Sequence, residues 1–146
     1  MIGYSVKSIK NLSVKHQHQL LELFAEVEFA EYTSDTDWLA DAVANSIAAV
    51  GAFDDQDNLI GFARALGDNV SDCYLQDVAV NKSYRSQGIG KALVKELLAL
   101  LKEKNIDWVG LVATPGKAEF YRKLGFEVMT GYTPMHLQQK NLEKYD

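Results

Sequence analysis

Residues 73–91, CYLQDVAVNKSYRSQGIGK, contain an apolar run, a turn with two glycines and the start of an amphipathic segment. The run at 73–80 is rich in β-branched and apolar side chains and predicts a strand. Apolar residues then recur at helical spacing over 88–104, which predicts a long helix. A helix that begins directly after a strand leaves several main-chain N–H groups unpaired at one place, and such a place binds anions. The segment therefore predicts an anion-binding loop.

Two common phosphate-binding motifs do not fit this loop. The dinucleotide pattern G-x-G-x-x-G needs a third glycine where the chain has Leu93. The P-loop pattern G-x-x-x-x-G-K-[ST] needs a glycine at Arg85 and a hydroxyl at Ala92. These mismatches exclude the dinucleotide fingerprint and weaken the interpretation of the chain as a P-loop nucleotide binder.

The remaining sequence alternates between strand-like and helix-like patterns. Strands are predicted over 4–9, 47–53, 59–66, 107–114, 126–129 and 133–137. Helices are predicted over 14–30, from a polar cap at 34–37 to about Asn45, and over 117–124. The Asp and Asn cluster at 54–58 predicts a hairpin turn, because these residues are typical turn formers. The cluster lacks the glycine and the glutamate that a calcium-binding loop needs, which argues against a calcium site. This order predicts one α/β domain over residues 1–146, with helices packed on a mixed sheet.

The composition is that of a soluble globular domain: 146 residues, 47% hydrophobic and 24% charged, with two prolines. A net charge of −5 argues against a nucleic-acid partner. The single cysteine, Cys73, excludes an intramolecular disulfide and a Cys-based zinc finger, and the three histidines lack ligand spacing, so no metal is expected. No apolar run is long enough for a membrane span or a signal, so we expect no membrane partner and a cytoplasmic location.

Two matches give the chain a family resemblance. The pattern R-x-x-G-x-G after an apolar strand resembles the pyrophosphate-binding motif of the GNAT acetyltransferase superfamily, and FYRKLGF at 120–126 is similar to that family's FYxxxGF signature. The resemblance covers about residues 47–137 and, more loosely, the first two helices. It implies a mixed, mostly antiparallel central sheet with a splayed strand pair and helices on both faces, and acetyl-CoA as co-substrate.

The resemblance also implies how the cofactor is bound. In the family, main-chain groups of the strand before the loop pair with the thioester and pantetheine, which here assigns that role to Val78, Ala79 and Val80. The loop would bind the pyrophosphate through Arg85, Ser86, Gln87, Gly88, Ile89, Gly90 and Lys91. Family members usually have a bulge that splays this strand from the next, predicted at 107–114. Many also carry an Asn where this chain has Lys117, which would reach a phosphate as a point charge instead.

The catalytic candidates follow from the same resemblance. Tyr121 matches the family tyrosine that donates a proton to the CoA sulfur, and its alternative role is that of a core tyrosine. Asp77 lies beside Gln76, where the glucosamine-phosphate branch of the family has a glutamate. An amide cannot accept a proton at neutral pH, so Asp77 is the candidate for orienting substrate or water, with a structural role as its alternative.

Members of the family often build the acceptor pocket near the end of the first helix, so the resemblance implies an acceptor at the first two helices. Glu28, Glu31, Tyr32 and Trp38 are the candidate pocket residues, with solvated or core positions as their alternatives. Residues 16–63 contain no Lys or Arg and hold ten of the 20 acidic residues, which favours a small cationic amine. The expected function is therefore an N-acetyltransferase that works by direct attack of an amine on acetyl-CoA. A non-catalytic acyl-CoA-binding sensor is the alternative. In the family that the chain resembles, the carboxyl-terminal strands commonly mediate dimerisation, so the resemblance also implies a homodimer.

Overall fold

The computed structural model describes residues 3–31 and 35–145. These residues form two compact units, one up to Leu111 and the other from Val112 onward. The first unit contains the sheet and the long helices, and the second contains short helical turns. None of the helices in the described part of the chain is long and apolar enough to span a bilayer.

The first unit is built on a five-stranded sheet whose spatial order follows the sequence. Its strands are β1 (Tyr4–Ser8), β2 (Ala48–Asp54), β3 (Leu59–Gly67), β4 (Asp72–Val80) and β5 (Trp108–Gly110). The first four pair antiparallel, with the predicted hairpin turn between β2 and β3. Strands β4 and β5 pair parallel over three residues only. The mixed, mostly antiparallel sheet with one splayed pair is therefore confirmed.

Helices cover both faces of the sheet. They are α1 (Val14–Glu26), α2 (Asp37–Ala44) and α3 (Ile89–Glu103). Helices α1 and α2 bury their apolar stripes on the face that carries Phe53 and Phe62. Helix α3 packs on the opposite face, where a Cβ built on Gly61 would come within 2.9 Å of Leu93 Cδ1. A glycine at this position therefore lets α3 approach the sheet closely.

Helix α1 begins as its sequence indicates but ends earlier. The Ser13 side chain accepts the main-chain N–H of His16 and caps the first turn. The predicted end at residue 30 is wrong, because Glu28 has φ 63° and breaks the helical path after Glu26. Left-handed backbone ends a helix even where the apolar spacing continues.

The second unit contains α4 (Ala118–Arg122), α5 (Gln139–Leu142) and a 3₁₀ turn (Glu143–Tyr145). The strands predicted at 126–129 and 133–137 are wrong: the described residues form no strand there. Gly131 has φ 86°, and Pro134 lacks the N–H that a ladder needs. The strand predicted at 107–114 is also too long, since pairing ends at Gly110. A strand needs a partner, and apolar alternation alone does not supply one.

Candidate active site

The central feature of the first unit is a bulge in β4 at Asp77. Phe62 of β3 lies opposite Ala79, and Arg64 lies opposite Gln76, so three steps on β4 match two on β3. Asp77 has φ 58°, the left-handed conformation that one common type of bulge gives to glycine. For a residue with a side chain that conformation costs about 1–2 kcal/mol, so other contacts must hold it.

Asp77 is held by an ion pair with Arg64. Arg64 Nε donates to Asp77 Oδ2 at 2.7 Å. The side chains are 17% and 22% exposed, so water screens the pair less than a surface pair. One of the two carboxylate oxygens of Asp77 thus accepts a hydrogen bond from the Arg64 guanidinium.

Beyond its first three residues, β4 is paired with β3 on one side and, among the described residues, has no paired strand on the other. Pairing with β5 runs from Asp72 opposite Trp108 to Tyr74 opposite Gly110, and the bulge follows three residues later. Within the described residues, the stretch 75–80 has no strand partner on the β5 side. A bulge bends its strand and increases the local twist, which accounts for the opening. This opening is the predicted splay, and Val78, Ala79 and Val80 lie along it.

The predicted anion loop lies between β4 and α3. A 3₁₀ turn (Lys82–Tyr84) follows β4, and Asn81 Oδ1 accepts the Ser83 N–H at 2.9 Å. Ser86 and Gly88 then adopt left-handed conformations, with φ 64° and 81°. Gly88 is the N-cap of α3, and nothing lies within 4 Å of a Cβ built on it. These conformations turn the chain sharply into the helix and leave open space above Gly88.

The main-chain N–H groups of this loop are free to bind an anion. In the described ranges, no acceptor meets the N–H of any residue from 85 to 91, while the Gly88 carbonyl accepts the first helical bond from Ala92 at 3.0 Å. The positive end of the α3 dipole lies at the same place. A pyrophosphate needs several donors, and this loop provides them.

Glu26 anchors the loop from α1. Its Oε1 accepts the main-chain N–H of Lys82 and lies 3.8 Å from an Nη atom of Arg85. Arg85 Nε also donates to the Val80 carbonyl oxygen at 3.2 Å. The strand end and the loop are thereby brought together, as expected for the two halves of one cofactor site.

Gln87 contributes an unsatisfied polar atom to the same loop. Its Oε1 is buried and accepts no hydrogen bond from the described residues. A buried acceptor without a donor costs free energy, so a ligand N–H or O–H at this place would be favoured. The free N–H groups and the open space at Gly88 fit the phosphate end of CoA, whereas the Gln87 oxygen needs a hydroxyl or amide donor and does not itself bind a phosphate.

A cavity of about 190 Å³ lies beside the turn that leads into the loop. Its polar lining includes Glu22, Glu26, Asp54, Asn81 and Tyr84. Three of the ten acids from residues 16–63 thus lie at this cavity.

The candidate general acid lies in the second unit. The Tyr121 ring makes edge contacts with Phe120 and Phe126, at centroid distances of 4.9 Å and 5.7 Å. Burial raises the pKa of the Tyr121 phenol above its ordinary value of about 10, so the hydroxyl keeps its proton at neutral pH. Lys117 is the N-cap of α4, and its side chain is exposed.

The predicted acceptor residues lie around the segment between α1 and α2. Glu28 and Glu31 lie after the last residue of α1, and both are exposed. Trp38 in the first turn of α2 is 43% exposed. Tyr32 lies outside the described residues. No group of three or more metal-ligating side chains occurs in the described part of the chain.

Sequence reasoning did not identify Glu26 as a residue of the site. Its partners lie 56 and 59 positions away, and no local pattern connects such distant residues. Asn81 was also missed, although an Asn after a strand and before a polar turn is a recognisable turn signal.

Comparison with known proteins agrees with this geometry. A family model described as an acetyltransferase (GNAT) domain matches residues 46–128. A solved GNAT family acetyltransferase from Streptococcus pneumoniae has a TM-score of 0.76 at 30% identity, covering 94% of this chain and 99% of that chain.

Two curated relatives match over shorter stretches. Histone acetyltransferase TAP1 of Glycine max is 42% identical over 73 residues, which is 50% of this chain and 32% of that protein. Serotonin N-acetyltransferase 2, chloroplastic, of Oryza sativa subsp. japonica is 33% identical over 117 residues, covering 73% of this chain and 54% of that protein. The chain therefore spans about a third to a half of the length of these relatives.

Proposed function

Because the chain belongs to the GNAT acetyltransferase family, we propose that it is an N-acetyltransferase that moves the acetyl group of acetyl-CoA to an amine. The observation that carries the proposal is the course of β4. The strand loses its partner after Tyr74, bulges at Asp77 and runs into a loop whose N–H groups are unpaired. The extended thioester arm of acetyl-CoA fits along the unpaired side of β4, and its pyrophosphate fits the loop with the free N–H groups.

Acetyl-CoA supplies an activated carbonyl carbon, which the amine nitrogen attacks while the bond to sulfur breaks. The residues of the chain bind and orient the reactants. Main-chain groups of Val78, Ala79 and Val80 hold the pantetheine arm as an added strand would. The loop from Arg85 to Lys91 fixes the pyrophosphate, so the reacting carbonyl is held at a constant distance from that anchor.

Proton transfer completes the reaction. A cationic amine first loses one proton to water, which frees its lone pair for attack. It loses a second proton as the new C–N bond forms, and the departing thiolate gains one. Tyr121 is proposed as the donor to sulfur, supported by its match to the family tyrosine and by the raised pKa that keeps it protonated. The protons that the amine nitrogen loses are proposed to leave to water, since no free carboxylate is assigned to accept them.

The acceptor is proposed to be a small cationic amine. Ten acids and no bases lie between residues 16 and 63, and they produce a field that attracts a cation. One relative is named for serotonin, a small amine, and another for histones, which are proteins, so the two names support an amine acceptor but not its size. Glu28, Glu31, Tyr32 and Trp38 are the proposed acceptor contacts. A cytoplasmic location belongs to the same proposal, whereas the homodimer loses its basis because the strands expected at 126–129 and 133–137 are not formed by the described residues.

The test is a turnover screen of the full chain with acetyl-CoA and a panel of amines, in which a thiol reagent detects the released CoA. We expect turnover with arylalkylamines or polyamines, and preference for anionic amino sugars would contradict the charge argument. The competing function, an acyl-CoA-binding sensor, predicts CoA binding without amine-dependent thiol release. The Tyr121→Phe variant distinguishes the two further, because only the enzyme depends on the hydroxyl.

A further inference from the structure

Arg64 connects three parts of the first unit through one guanidinium group. Besides its bond to Asp77, its Nη1 lies 3.4 Å from the Ala42 carbonyl oxygen and 3.5 Å from Ser46 Oγ. Ala42 lies in the last turn of α2, where the carbonyl groups carry the negative end of the helix dipole. The guanidinium therefore links the end of α2 to the bulged strand.

The bulge decides which β4 groups face the splay. It places Gln76 and Ala79 on the same face, although they are three residues apart, and Ala79 packs in the core with Phe62. If the bulge relaxed by one residue, the side chains beyond it would move to the opposite face. The main-chain groups that meet the thioester would then turn away from the opening. The left-handed backbone at Asp77 must hence be held in place.

We propose that Arg64 is a positioning residue for acetyl transfer: its ion pair with Asp77 holds the bulge that presents the main chain of Val78 and Ala79 to the thioester. This inference rests on the proposed function. Asp77 then acts through its geometry and its ion pair, and the proton of the amine does not pass to it. Asp is suited to this place because it tolerates positive φ better than most residues and carries the charge that Arg64 needs.

The test compares variants that remove the pair from either side. Arg64→Met keeps an unbranched apolar stem and removes the guanidinium group, whereas Asp77→Asn keeps the shape and the tolerance for positive φ. Arg64→Lys keeps the charge and provides a second variant if the Met variant does not fold. Asp57→Asn is the matched control, because Asp57 has φ 61° and pairs with His16 at 3.3 Å but is 59% exposed in the hairpin turn.

Four kinetic outcomes support positioning. The kcat falls about tenfold or more in both single variants, with little change in the KM for acetyl-CoA, since the phosphate loop is intact. The double variant is within about twofold of the worse single variant, because the two residues act as one unit. Arg64→Lys recovers part of the rate, and the pH profile of kcat keeps its shape in all variants.

Two outcomes overturn the proposal. If Asp77→Asn alone loses activity and also removes a limb of the pH profile while Arg64→Met is unaffected, Asp77 is the base and not a partner in positioning. If the two losses multiply in the double variant, the residues act independently. Asp57→Asn is expected to keep wild-type kcat, because the loss of one acid from the field that attracts the amine changes the KM for the amine instead.

A second measurement keeps the inference separate from the proposed function. Amide hydrogen exchange of the β4 N–H groups that pair with β3 beside the bulge is expected to speed up equally in Arg64→Met and Asp77→Asn of the full chain, and to stay unchanged in Asp57→Asn. If the wild type turns over no amine, the proposed function fails while this result still decides whether Arg64 holds the bulge. Unchanged exchange in the Arg64 and Asp77 variants would overturn the inference even in an active enzyme.

Discussion

Charge at position 88 tests where the pyrophosphate binds. Gly88 has φ 81°, and a Cβ built on it meets nothing within 4 Å, so a side chain there extends into the space above the free N–H groups. We compare Gly88→Asp with Gly88→Asn, which have the same shape. Both residues tolerate positive φ better than most, and both carry a backbone strain of about 1–2 kcal/mol. The two variants should therefore have similar free energies of unfolding and differ in charge alone.

The size of the charge effect follows from the geometry of the loop. A phosphate bound to main-chain N–H groups lies about 3 Å from them, which places it about 5 Å from a carboxylate on residue 88. At that separation, repulsion between two unit charges is about 1 kcal/mol with water-like screening and about 3 kcal/mol at an effective dielectric constant of ~20. The Kd for CoA should thus be about 5- to 200-fold higher for Asp than for Asn.

Calorimetric titration with CoA gives this ratio, and acetyl-pantetheine, which lacks the pyrophosphate, is the ligand control. The ratio should shrink as ionic strength rises, because salt screens the repulsion. Equal Kd values for CoA in the two variants would refute a pyrophosphate at this loop. So would an Asp variant that weakens acetyl-pantetheine as much as it weakens CoA.

Three further predictions concern catalysis and stability. Tyr121→Phe should lower kcat about 10²–10⁴-fold with an unchanged Kd for acetyl-CoA. Because burial raises the pKa of Tyr121, the wild-type rate should not fall through loss of the phenolic proton until the pH exceeds about 10, as a pH–rate profile would show. Gly61→Ala should lower the free energy of unfolding in urea by about 1–3 kcal/mol, because the new Cβ lies 2.9 Å from Leu93 Cδ1, and an unchanged unfolding midpoint would contradict this. Asp68→Asn should lower the Tm at pH 7, since hydrogen bonds from the main-chain N–H groups of Ser71 and its neighbours hold the pKa of Asp68 well below its ordinary value. Because the pKa is lower in the folded state than in the unfolded state, the ionised carboxylate stabilises the fold above about pH 4, and this stabilisation is lost as the pH falls. A Tm difference between the variant and the wild type that stays constant from about pH 7 to about pH 2 would count against this prediction.

The parts of the fold that rest on local pattern were predictable from the sequence. The hairpin at 54–58, strand β4 and the start of α3 at Gly88 all depend on turn residues and apolar spacing within a few positions. The splay of β4 and the family of the fold came from the loop motif and its downstream match. These features need no knowledge of distant contacts.

The parts that rest on distant contacts were not predictable in the same way. Glu26 and Arg85 meet across 59 positions, and only the packing of α1 against the end of β4 brings them together. The backbone of Glu28 ends α1 although the apolar pattern continues. The alternation at 126–137 indicated strands, but pairing depends on a neighbour that spacing cannot supply. The contacts of Arg64 with Asp77 and with the Ala42 carbonyl oxygen also join residues 13 and 22 positions apart, and no local pattern predicts them.

The half-paired course of β4 has a consequence for the behaviour of the protein in solution. A strand without a neighbour on one side offers its peptide groups to any extended chain, including the same strand in a second molecule. A bound acyl-CoA arm would occupy those groups and act as a protective edge. Ligand binding would then also raise the unfolding temperature by mass action and slow aggregation of concentrated samples. The bound substrate would in this way stabilise the strand with which it pairs.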